Sequence, residues 1–407
     1  MRILICGTTY HPALNGQAIF TTNLARGLAG RGHQVVCLFP SERRKAYAER
    51  RDGVQLEGMA SLSAVRVHPD SFVPLPARSR IRRILDELRP QVVHLQDHYP
   101  LCRRVAREAR RRGIRLVGTN HFMPANVAPY LPGHVRFMPL LERLLWAWML
   151  RVYRGLDVVT AQSLAAAEIL RQRSLGIPVH AVSCGIDLDR FRPDPSVDRV
   201  RCRRELGLDP TRTLLVFVGR VDREKRIDVL LRAMQRLDRP DLQLAVVGRG
   251  AASEALQSLA QALELGDRVR FTGFVHQDLH VLLNSADIFV MASEAELLSL
   301  ASLEAMACGL PLLLADAVAL PELVEPGING YLFAPGDPDD AARCIAELAD
   351  HPERWAAMGA ASVARAQPHG LERTLERYEA LYRPARPALI RTDGPPATPR
   401  ERRRSGA

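Results

Sequence analysis

The charged residues best suited to chemistry lie in the second half of the 407-residue chain. A predicted strand at Thr213–Val218 ends in Gly219-Arg220, and Lys225 follows before a predicted helix. Only two of the 56 basic residues are lysines, so a lysine at this point is conspicuous. Backbone amides and two cations at the carboxyl end of a strand suit a diphosphate, since arginine offers a planar fork and lysine a point charge. We expect them to stabilise a diphosphate leaving group, although a solvated turn is the alternative.

Two glutamates separated by seven residues form a second group of candidates. Glu296 follows the predicted strand Ile288–Met291, and Glu304 lies two turns into the predicted helix Leu300–Ala307. The helix N-terminus between them favours an anion, and each carboxylate can accept hydrogen bonds from a pair of hydroxyls. The pair therefore suits a sugar nucleotide, although taken alone it would also fit a solvated helix face.

The elements that must position these residues follow an alternating pattern. Short apolar runs typical of strands alternate with helical patterns along most of the chain. This predicts an α/β fold with two doubly wound, Rossmann-like domains on parallel sheets, facing each other across a cleft. Ligands of such sheets bind beyond the carboxyl ends of the strands, so the chemistry is expected in the cleft. The boundary is predicted in the charged, proline-broken segment Gly185–Pro210.

Two series of elements can be placed on the sequence, and a last helix is predicted at Leu371–Tyr382. The first series has strands at Arg2–Cys6, Gln34–Phe39, Val92–Leu95, Arg115–Gly118, Asp157–Thr160 and His180–Val182, with helices at Ala18–Ala29, Arg78–Leu88, Leu101–Arg112 and Leu140–Tyr153. The second has strands at Thr213–Val218, Leu242–Val247, Val269–Phe271, Ile288–Met291, Pro311–Leu314 and Gly330–Phe333, with helices at Ile227–Leu237, Ser253–Leu263, Leu300–Ala307 and Asp339–Ala349.

Composition narrows the class of protein. The chain is 47% hydrophobic and 25% charged, which excludes wholesale disorder, and no apolar run approaches the ~20 residues that span a bilayer. The N-terminus runs directly into a strand pattern without a signal-like segment, and the seven cysteines are scattered with no Cys-x-x-Cys pair. We therefore expect a cytoplasmic protein with reduced thiols.

Charge is divided unevenly along the chain. Residues 1–190 carry a net +14, residues 191–382 a net −8 and residues 383–407 a net +5. A basic first half favours an anionic partner, such as a membrane surface, an acidic acceptor or nucleic acid, although arginine-rich solvated helix faces give the same pattern. The last segment is rich in Pro, Arg and Thr with little to bury, so residues 383–407 are predicted to be a disordered tail.

Taken together, the motifs strongly resemble the family-4 retaining glycosyltransferases of GT-B fold, over roughly residues 1–382. The second half carries Gly219-Arg220…Lys225, Val246-Val247-Gly248-Arg249-Gly250, Phe271-Thr272-Gly273-Phe274, Glu296-x7-Glu304 and Pro321-Glu322-Leu323…Gly327-x-Asn329-Gly330. The first half carries Asn15-Gly16, Gly30-Arg31-Gly32-His33-Gln34-Val35, Asn120-His121 and, at the linker, Gly185-Ile186-Asp187.

The resemblance implies a role for each matching residue. Arg220 and Lys225 would bind the donor diphosphate, Glu296 the hydroxyls of the donor sugar and Glu304 the ribose. His121 would lie against the donor sugar. The residues implied as catalytic are His121, Arg220, Lys225 and Glu296, and those implied to contact the donor are Gly16, Arg220, Lys225, Phe274, Leu298, Ser299, Leu300 and Glu304.

The resemblance also implies an activity and a division of labour. Residues 1–190 would form the acceptor-side domain and residues 191–370 the sugar-nucleotide domain, followed by the helix at 371–382. The enzyme would transfer a hexose-type sugar from a UDP-sugar or GDP-sugar to an acceptor hydroxyl with retention, without a metal or other cofactor. The absence of an obvious nucleophile fits a same-face substitution through an oxocarbenium-like state.

Two segments depart from the family's pattern. Glu296 is followed by Leu297-Leu298-Ser299, where the family commonly has Gly-Phe-Gly, and Gly16 lacks the second glycine that is frequent beside it. Glycines there let backbone approach a donor closely. We interpret both departures as variation in the choice of donor or acceptor, because Arg220, Lys225 and both glutamates remain.

The acceptor and the reaction class have alternatives. The first expectation for the acceptor is a membrane lipid, with the enzyme held peripherally at the anionic inner face of the membrane. A soluble small molecule and a polysaccharide follow as alternatives, and nucleic acid is not expected.

The alternative reaction class is that of a GT-B sugar-nucleotide epimerase, which would need no acceptor surface. A binding protein that has lost its activity is not favoured, because Arg220, Lys225, Glu296 and Glu304 are all present. A Rossmann oxidoreductase is not favoured either, because the Gly-x-Gly-x-x-Gly motif that it would require does not follow the first strand.

Two further patterns have structural interpretations. His94, Asp97 and His98 follow a strand, but they need not converge, so no metal site is predicted and Asp97 and His98 are expected on the cleft wall near the acceptor. Trp146 and Trp148 could mark a membrane-seeking helix. Ordinary core packing is favoured, because apolar residues recur at helical spacing, namely Leu141, Leu145, Trp148 and Val152.

Overall fold

The computed structural model describes residues 1–10, 15–63, 72–75, 78–123, 138–275 and 278–384. Most of the predicted tail at 383–407 therefore lies outside the described residues. Two sheets of the doubly wound type form two lobes, as predicted.

The N-terminal lobe is built on an eight-stranded sheet with the order β10-β9-β8-β7-β1-β2-β4-β3, and β5 and β6 form a small separate hairpin. Its strands are β1 (Arg2–Cys6), β2 (Gln34–Pro40), β3 (Tyr47–Arg51), β4 (Val54–Met59), β5 (Ser61–Ser63), β6 (Phe72–Pro74), β7 (Val92–Leu95), β8 (Arg115–Asn120), β9 (Val158–Ala161) and β10 (Val179–Ala181). Its helices are α1 (Gly16–Gly30), α2 (Arg78–Leu88), α3 (Pro100–Arg110), α4 (Met138–Tyr153) and α5 (Leu164–Arg171).

Helices cover both faces of this sheet, and the first strand shows how the sequence produces the layers. Ile3 and Ile5 pack in the same apolar cluster as residues of α1, whereas Leu4 and Cys6 pack with residues of α2 to α5. Alternate side chains of a strand point to opposite faces, so a strand buried on both sides must be apolar throughout.

The N-terminal sheet also carries one antiparallel edge strand that was not predicted. β3 pairs antiparallel with β4, and the two strands are joined by Asp52-Gly53, both with positive φ (51° and 79°). That backbone suits the tight turn of a hairpin, for which Asp-Gly is a preferred sequence. β3 was not predicted because it contains several charged residues and is not an apolar run.

The C-terminal lobe carries a wholly parallel six-stranded sheet with the order β13-β12-β11-β14-β15-β16. Its strands are β11 (Thr213–Val218), β12 (Leu242–Val247), β13 (Val269–Gly273), β14 (Ile288–Met291), β15 (Leu312–Ala315) and β16 (Gly330–Phe333). Its helices are α6 (Arg199–Glu205), α7 (Ile227–Leu237), α8 (Ser253–Ala262), α9 (Leu279–Ser285), α10 (Leu300–Ala307), α11 (Pro338–Ala349) and α12 (Trp355–Ala366).

The last helix, α13 (Leu371–Tyr382), returns to the N-terminal lobe. The hydroxyl of Tyr378 lies 3.1 Å from the hydroxyls of Thr119 and Thr160, and Leu375 packs so closely on Gly27 of α1 that a Cβ there would lie 2.6 Å from it. The lobes are thus joined by two chain crossings, one near Gly185 and one at Gly370, which is bridged to Ile186.

Helix α4 buries an apolar face, although not the predicted one. Val152 is buried as expected, but Leu141, Leu145 and Trp148 are only partly buried. The buried residues of this helix are Trp146, Met149, Leu150, Val152 and Tyr153. In the described ranges no helix combines the length and apolar character needed to cross a bilayer, and all seven cysteines are free thiols.

Candidate active site

The predicted diphosphate turn lies at the carboxyl end of β11, the third strand of the six. Residues Arg223–Lys225 form a single 3₁₀ turn, and Arg226 takes a left-handed conformation (φ 48°) before α7 begins. The Arg220 guanidinium forms an ion pair with Asp222 Oδ2 at 3.1 Å and donates to Glu224 Oε1 at 3.0 Å. The arginine is therefore held by two carboxylates at the edge where ligands of such sheets bind.

Two glycines of the adjacent loop allow this turn to pack tightly. Gly248 follows β12 with φ 142°, and a Cβ on it would lie 1.8 Å from the carbonyl oxygen of Gly219. A Cβ on Gly250 would lie 2.3 Å from the carbonyl oxygen of Val221. The motif glycines after β12 thus support the diphosphate turn from behind.

Lys225 and Glu296, which are 71 positions apart, form a direct ion pair between Nζ and Oε1. Both side chains are largely buried, with exposed fractions of 16% and 12%. Next to them, Arg226 Nη1 pairs with Glu294 Oε1. The structure therefore brings together the proposed diphosphate cation and the proposed sugar-binding carboxylate, each neutralising the other.

Glu304 lies on α10 and is partly buried. Burial raises the pKa of its carboxyl group to about 8, against the weaker opposing effect of Arg190. In the ligand-free protein at neutral pH this carboxyl group is therefore mainly protonated, and it can both donate and accept hydrogen bonds.

The segment that lacks the family's glycines contributes to packing. Leu297 belongs to an apolar cluster whose other buried members all lie in the N-terminal lobe, whereas Leu298 belongs to the cluster that extends through both lobes. Ser299 caps α10, accepting from Ser302 N at 3.2 Å. Leucine in place of glycine thus places an apolar contact between the lobes beside Glu296.

On the N-terminal lobe, His121 follows β8 and is held by two glutamine side chains. Its Nε2 donates to Gln96 Oε1 at 2.9 Å, and its Nδ1 accepts from the side-chain amide of Gln162. Gln96 follows β7 and Gln162 follows β9, so three neighbouring strands end in this group. Burial lowers the pKa of His121 to about 3. The imidazole is therefore neutral at physiological pH and cannot act as a general acid in its protonated form.

The other predicted donor contacts are placed as follows. Gly16 begins α1 beside its capping residue Asn15, and no atom of the described residues would lie within 4 Å of a Cβ on Gly16. The preceding residues 11–14 lie outside the described residues. Phe274 is exposed just after β13, and Leu300 is the first residue of α10.

His94 lies within β7 and His98 follows it, and in the described part of the chain these two histidines and Asp97 are not brought together as metal ligands would be. His94 lies in the core between Tyr382 OH at 2.8 Å and Thr119 Oγ1 at 2.7 Å, and burial lowers its pKa to about 3. Asp97 accepts from Thr8 N at 2.7 Å and so holds the loop after β1. Within the described ranges, no three His, Cys, Asp or Glu side chains converge as metal ligands would.

The motifs assigned no role to the two glutamines around His121 or to the carboxylate Glu322, which appeared only as part of Pro321-Glu322-Leu323. Glu322 reaches across to the N-terminal lobe, where its oxygens accept from Leu164 N at 3.0 Å and Ala165 N at 2.6 Å at the start of α5. The sequence contained a signal for the glutamines, since Gln96 directly follows one predicted strand and Gln162 lies two residues after another, and both strands are neighbours of β8. The partner of Glu322 is 157 residues away and has no sequence signal.

Comparison with protein families gives one match for each lobe. Residues 14–190 match the family described as Glycosyltransferase Family 4, and residues 198–364 match Glycosyl transferases group 1. Together the two matches cover most of both lobes.

Curated relatives include two named as D-inositol 3-phosphate glycosyltransferases. The protein from Catenulispora acidiphila is 34% identical over 309 residues, which is 72% of each chain. The protein from Thermomonospora curvata is 30% identical over 404 residues, covering 93% of this chain and 92% of its own.

Solved structures of similar shape include two with nearly complete coverage. Sucrose-phosphate synthase from Thermosynechococcus elongatus has a TM-score of 0.76 at 23% identity, covering 94% of this chain and 98% of its own. Anabaena HepE in complex with UDP has a TM-score of 0.74 at 19% identity, covering 94% and 99%. These likenesses establish the predicted GT-B architecture.

Proposed function

The chain belongs to the group 1, family-4 glycosyltransferases, and we propose that it transfers a hexose-type sugar from a nucleoside-diphosphate sugar to an acceptor hydroxyl with retention. The observation that carries this proposal is the convergence of Lys225 and Glu296 at the carboxyl edge of the C-terminal sheet. Arg220 lies on the same turn, and Glu304 lies on the helix that follows Glu296.

Donor binding would change the partners with which the charged side chains of the site pair. In the ligand-free protein Arg220 and Lys225 are paired with carboxylates. A diphosphate would take over the cations, and this would free Glu296 to accept hydrogen bonds from sugar hydroxyls. Bidentate and charge-assisted contacts to phosphate are strong enough for this exchange. The UDP in the solved structure of HepE supports a nucleotide ligand, and both UDP-sugars and GDP-sugars belong in the test panel.

The proposed transfer step involves the acceptor hydroxyl, the anomeric carbon of the donor sugar and the diphosphate leaving group. Attack of the acceptor oxygen on the anomeric carbon breaks the bond to the diphosphate, whose growing charge Arg220 and Lys225 stabilise. The neutral His121, whose two ring nitrogens are held by Gln96 and Gln162, would lie against the sugar rather than supply a proton. The acceptor's proton would pass to the departing diphosphate oxygen on the same face. Two fixed cations would supply the positive charge without a metal ion.

We propose a small phosphorylated polyol as the acceptor, since the similar curated relatives are named for D-inositol 3-phosphate. A membrane lipid is the second candidate, and the net +14 of residues 1–190 favours it. Sedimentation with anionic liposomes separates the two: binding that fades as salt rises would favour the lipid, and a protein that stays in the supernatant at low salt would exclude it.

The activity is tested by incubating the protein with each donor, with and without inositol 3-phosphate. Products are separated by chromatography that resolves isomeric sugar nucleotides and are then detected by mass spectrometry. Transfer predicts a sugar adduct and free nucleoside diphosphate only when both substrates are present. A new sugar nucleotide from donor alone would instead establish the epimerase. The Lys225→Ala variant should lose the adduct, whereas Lys45→Ala, which changes the chain's other, exposed lysine, should keep it.

A further inference from the structure

A groove between α3 and α4 on the outer face of the N-terminal lobe is lined almost entirely by arginine. Its volume is about 220 Å³. Arg103, Arg107 and Arg110 of α3 face Arg151 of α4 across it, above a floor that includes Ala106 and Val152. Spacings of four and three residues place the three α3 arginines on one face of the helix.

Neighbouring arginines are neutralised, whereas those of the groove are not. Arg82, Arg111 and Arg112 all pair with Glu108, the one carboxylate of α3. By contrast, within the part of the chain that the structure describes, the guanidinium groups of Arg103, Arg107 and Arg151 have no hydrogen bond and no ion pair. Like charges that converge without a counterion repel each other, so the groove is preorganised for an anion.

The position of the groove separates it from the transfer site. Arg110 donates to the carbonyl of Gly155, which lies just before β9, at the amino ends of the strands. His121 and the glutamines around it lie at the opposite, carboxyl ends of the same strands. The groove therefore runs down the outside of the lobe and away from the edge that faces the donor turn.

We propose that this arginine groove binds a phosphate group at a site distinct from the transfer site. Guanidinium forks match phosphate oxygens in pairs, and the groove has room for a phosphate monoester or a diphosphate. The phosphate can belong to a soluble compound or to the headgroup of an anionic lipid, and the site recognises the chemistry that the two share.

The test compares two double variants of the full chain that remove equal charge. Arg107→Gln/Arg151→Gln removes one groove arginine from each helix. Arg104→Gln/Arg143→Gln removes one arginine from each of the same helices outside the groove, and both Arg104 and Arg143 are exposed. Because both variants keep Arg220 and Lys225, any binding of the probe at the donor turn is common to them.

The first arm measures pyrophosphate binding through protection of α3 and α4 amides against hydrogen exchange at constant ionic strength. The second arm measures sedimentation with phosphatidylcholine vesicles with and without phosphatidylglycerol. The groove variant should bind at least ten-fold more weakly than the wild type, and the control variant should change less than two-fold. Selective loss of pyrophosphate binding would identify a soluble ligand, and selective loss of vesicle binding a lipid headgroup.

The proposal would be overturned if both variants weakened binding equally in both arms, because the effect would then be one of general charge. It would also be overturned if the wild type bound neither probe. Transfer activity with soluble substrates at saturation should be unchanged in both double variants. A failure of the groove proposal is therefore distinguishable from a failure of the transferase proposal.

Discussion

Replacing Glu304 by glutamine should stabilise the ligand-free protein, and the gain should depend on pH. Burial raises the pKa of this carboxyl group from 4.5 to about 8 in the folded protein. Between those values the folded state holds a proton that the unfolded state releases, so stability falls as pH rises toward 8. Glutamine has the same shape as the protonated acid and does not ionise. The stability of the variant therefore does not fall in this way as the pH rises.

The size of the effect follows from the shift. At about 1.4 kcal/mol for each pKa unit, and allowing for partial exposure of the side chain, the gain at pH 8.5 is about 2–4 kcal/mol. For a lobe of this size that corresponds to roughly 5–10 °C in Tm. The difference from the wild type should shrink as pH falls and vanish below about pH 4.5.

The assay is differential scanning fluorimetry of the wild type, Glu304→Gln and Glu254→Gln from pH 4 to 8.5. Glu254 is an exposed glutamate of α8 and controls for the loss of a surface charge. A Tm difference for Glu304→Gln that is constant with pH, or equal to that of the control, would refute the reasoning about the buried carboxyl group.

Three other expectations test the site. Lys225→Ala should lower the transfer rate about 10²–10³-fold through loss of a contact to the leaving group, while Lys45→Ala should retain it; equal rates in steady-state assays would remove Lys225 from the diphosphate site. Glu304→Gln should weaken binding of free nucleoside diphosphate in calorimetry, and Glu296→Gln should spare that binding but impair transfer; matching losses of affinity would contradict this division. His121, whose pKa burial lowers to about 3, should show no imidazole titration above pH 5 by NMR, and an inflection near pH 6.5 would mean that the site is wetter than described.

The sequence predicted the parts of the fold whose signals are local. Strands such as Thr213–Val218 and Leu242–Val247 agree with the structure to the residue, because parallel strands buried on both faces are continuous apolar runs. The charged strand β3 carried no such signal. Helix α13 was predicted, but its position on the N-terminal lobe depends on contacts such as that of Tyr378 with Thr119, 259 residues apart.

For the candidate site, too, local motifs were visible in the sequence, whereas contacts between distant residues were not. The order of motifs was enough to propose Lys225 and Glu296 together, but their direct pairing in the ligand-free protein depends on how the turn after β11 meets the loop after β14. The role of Leu297 at the contact between the lobes is likewise tertiary, so a comparison of motifs could register only missing glycines.

The measurement that tests the central claim most directly is ¹H NMR of the transfer reaction, followed from the start, with an α-linked donor identified from the panel. The anomeric coupling constant of the first product reports its configuration. We expect retained configuration with the wild type and with Lys45→Ala, and a rate of product formation about 10²–10³-fold lower with Lys225→Ala. An inverted product, or wild-type turnover by Lys225→Ala, would contradict it.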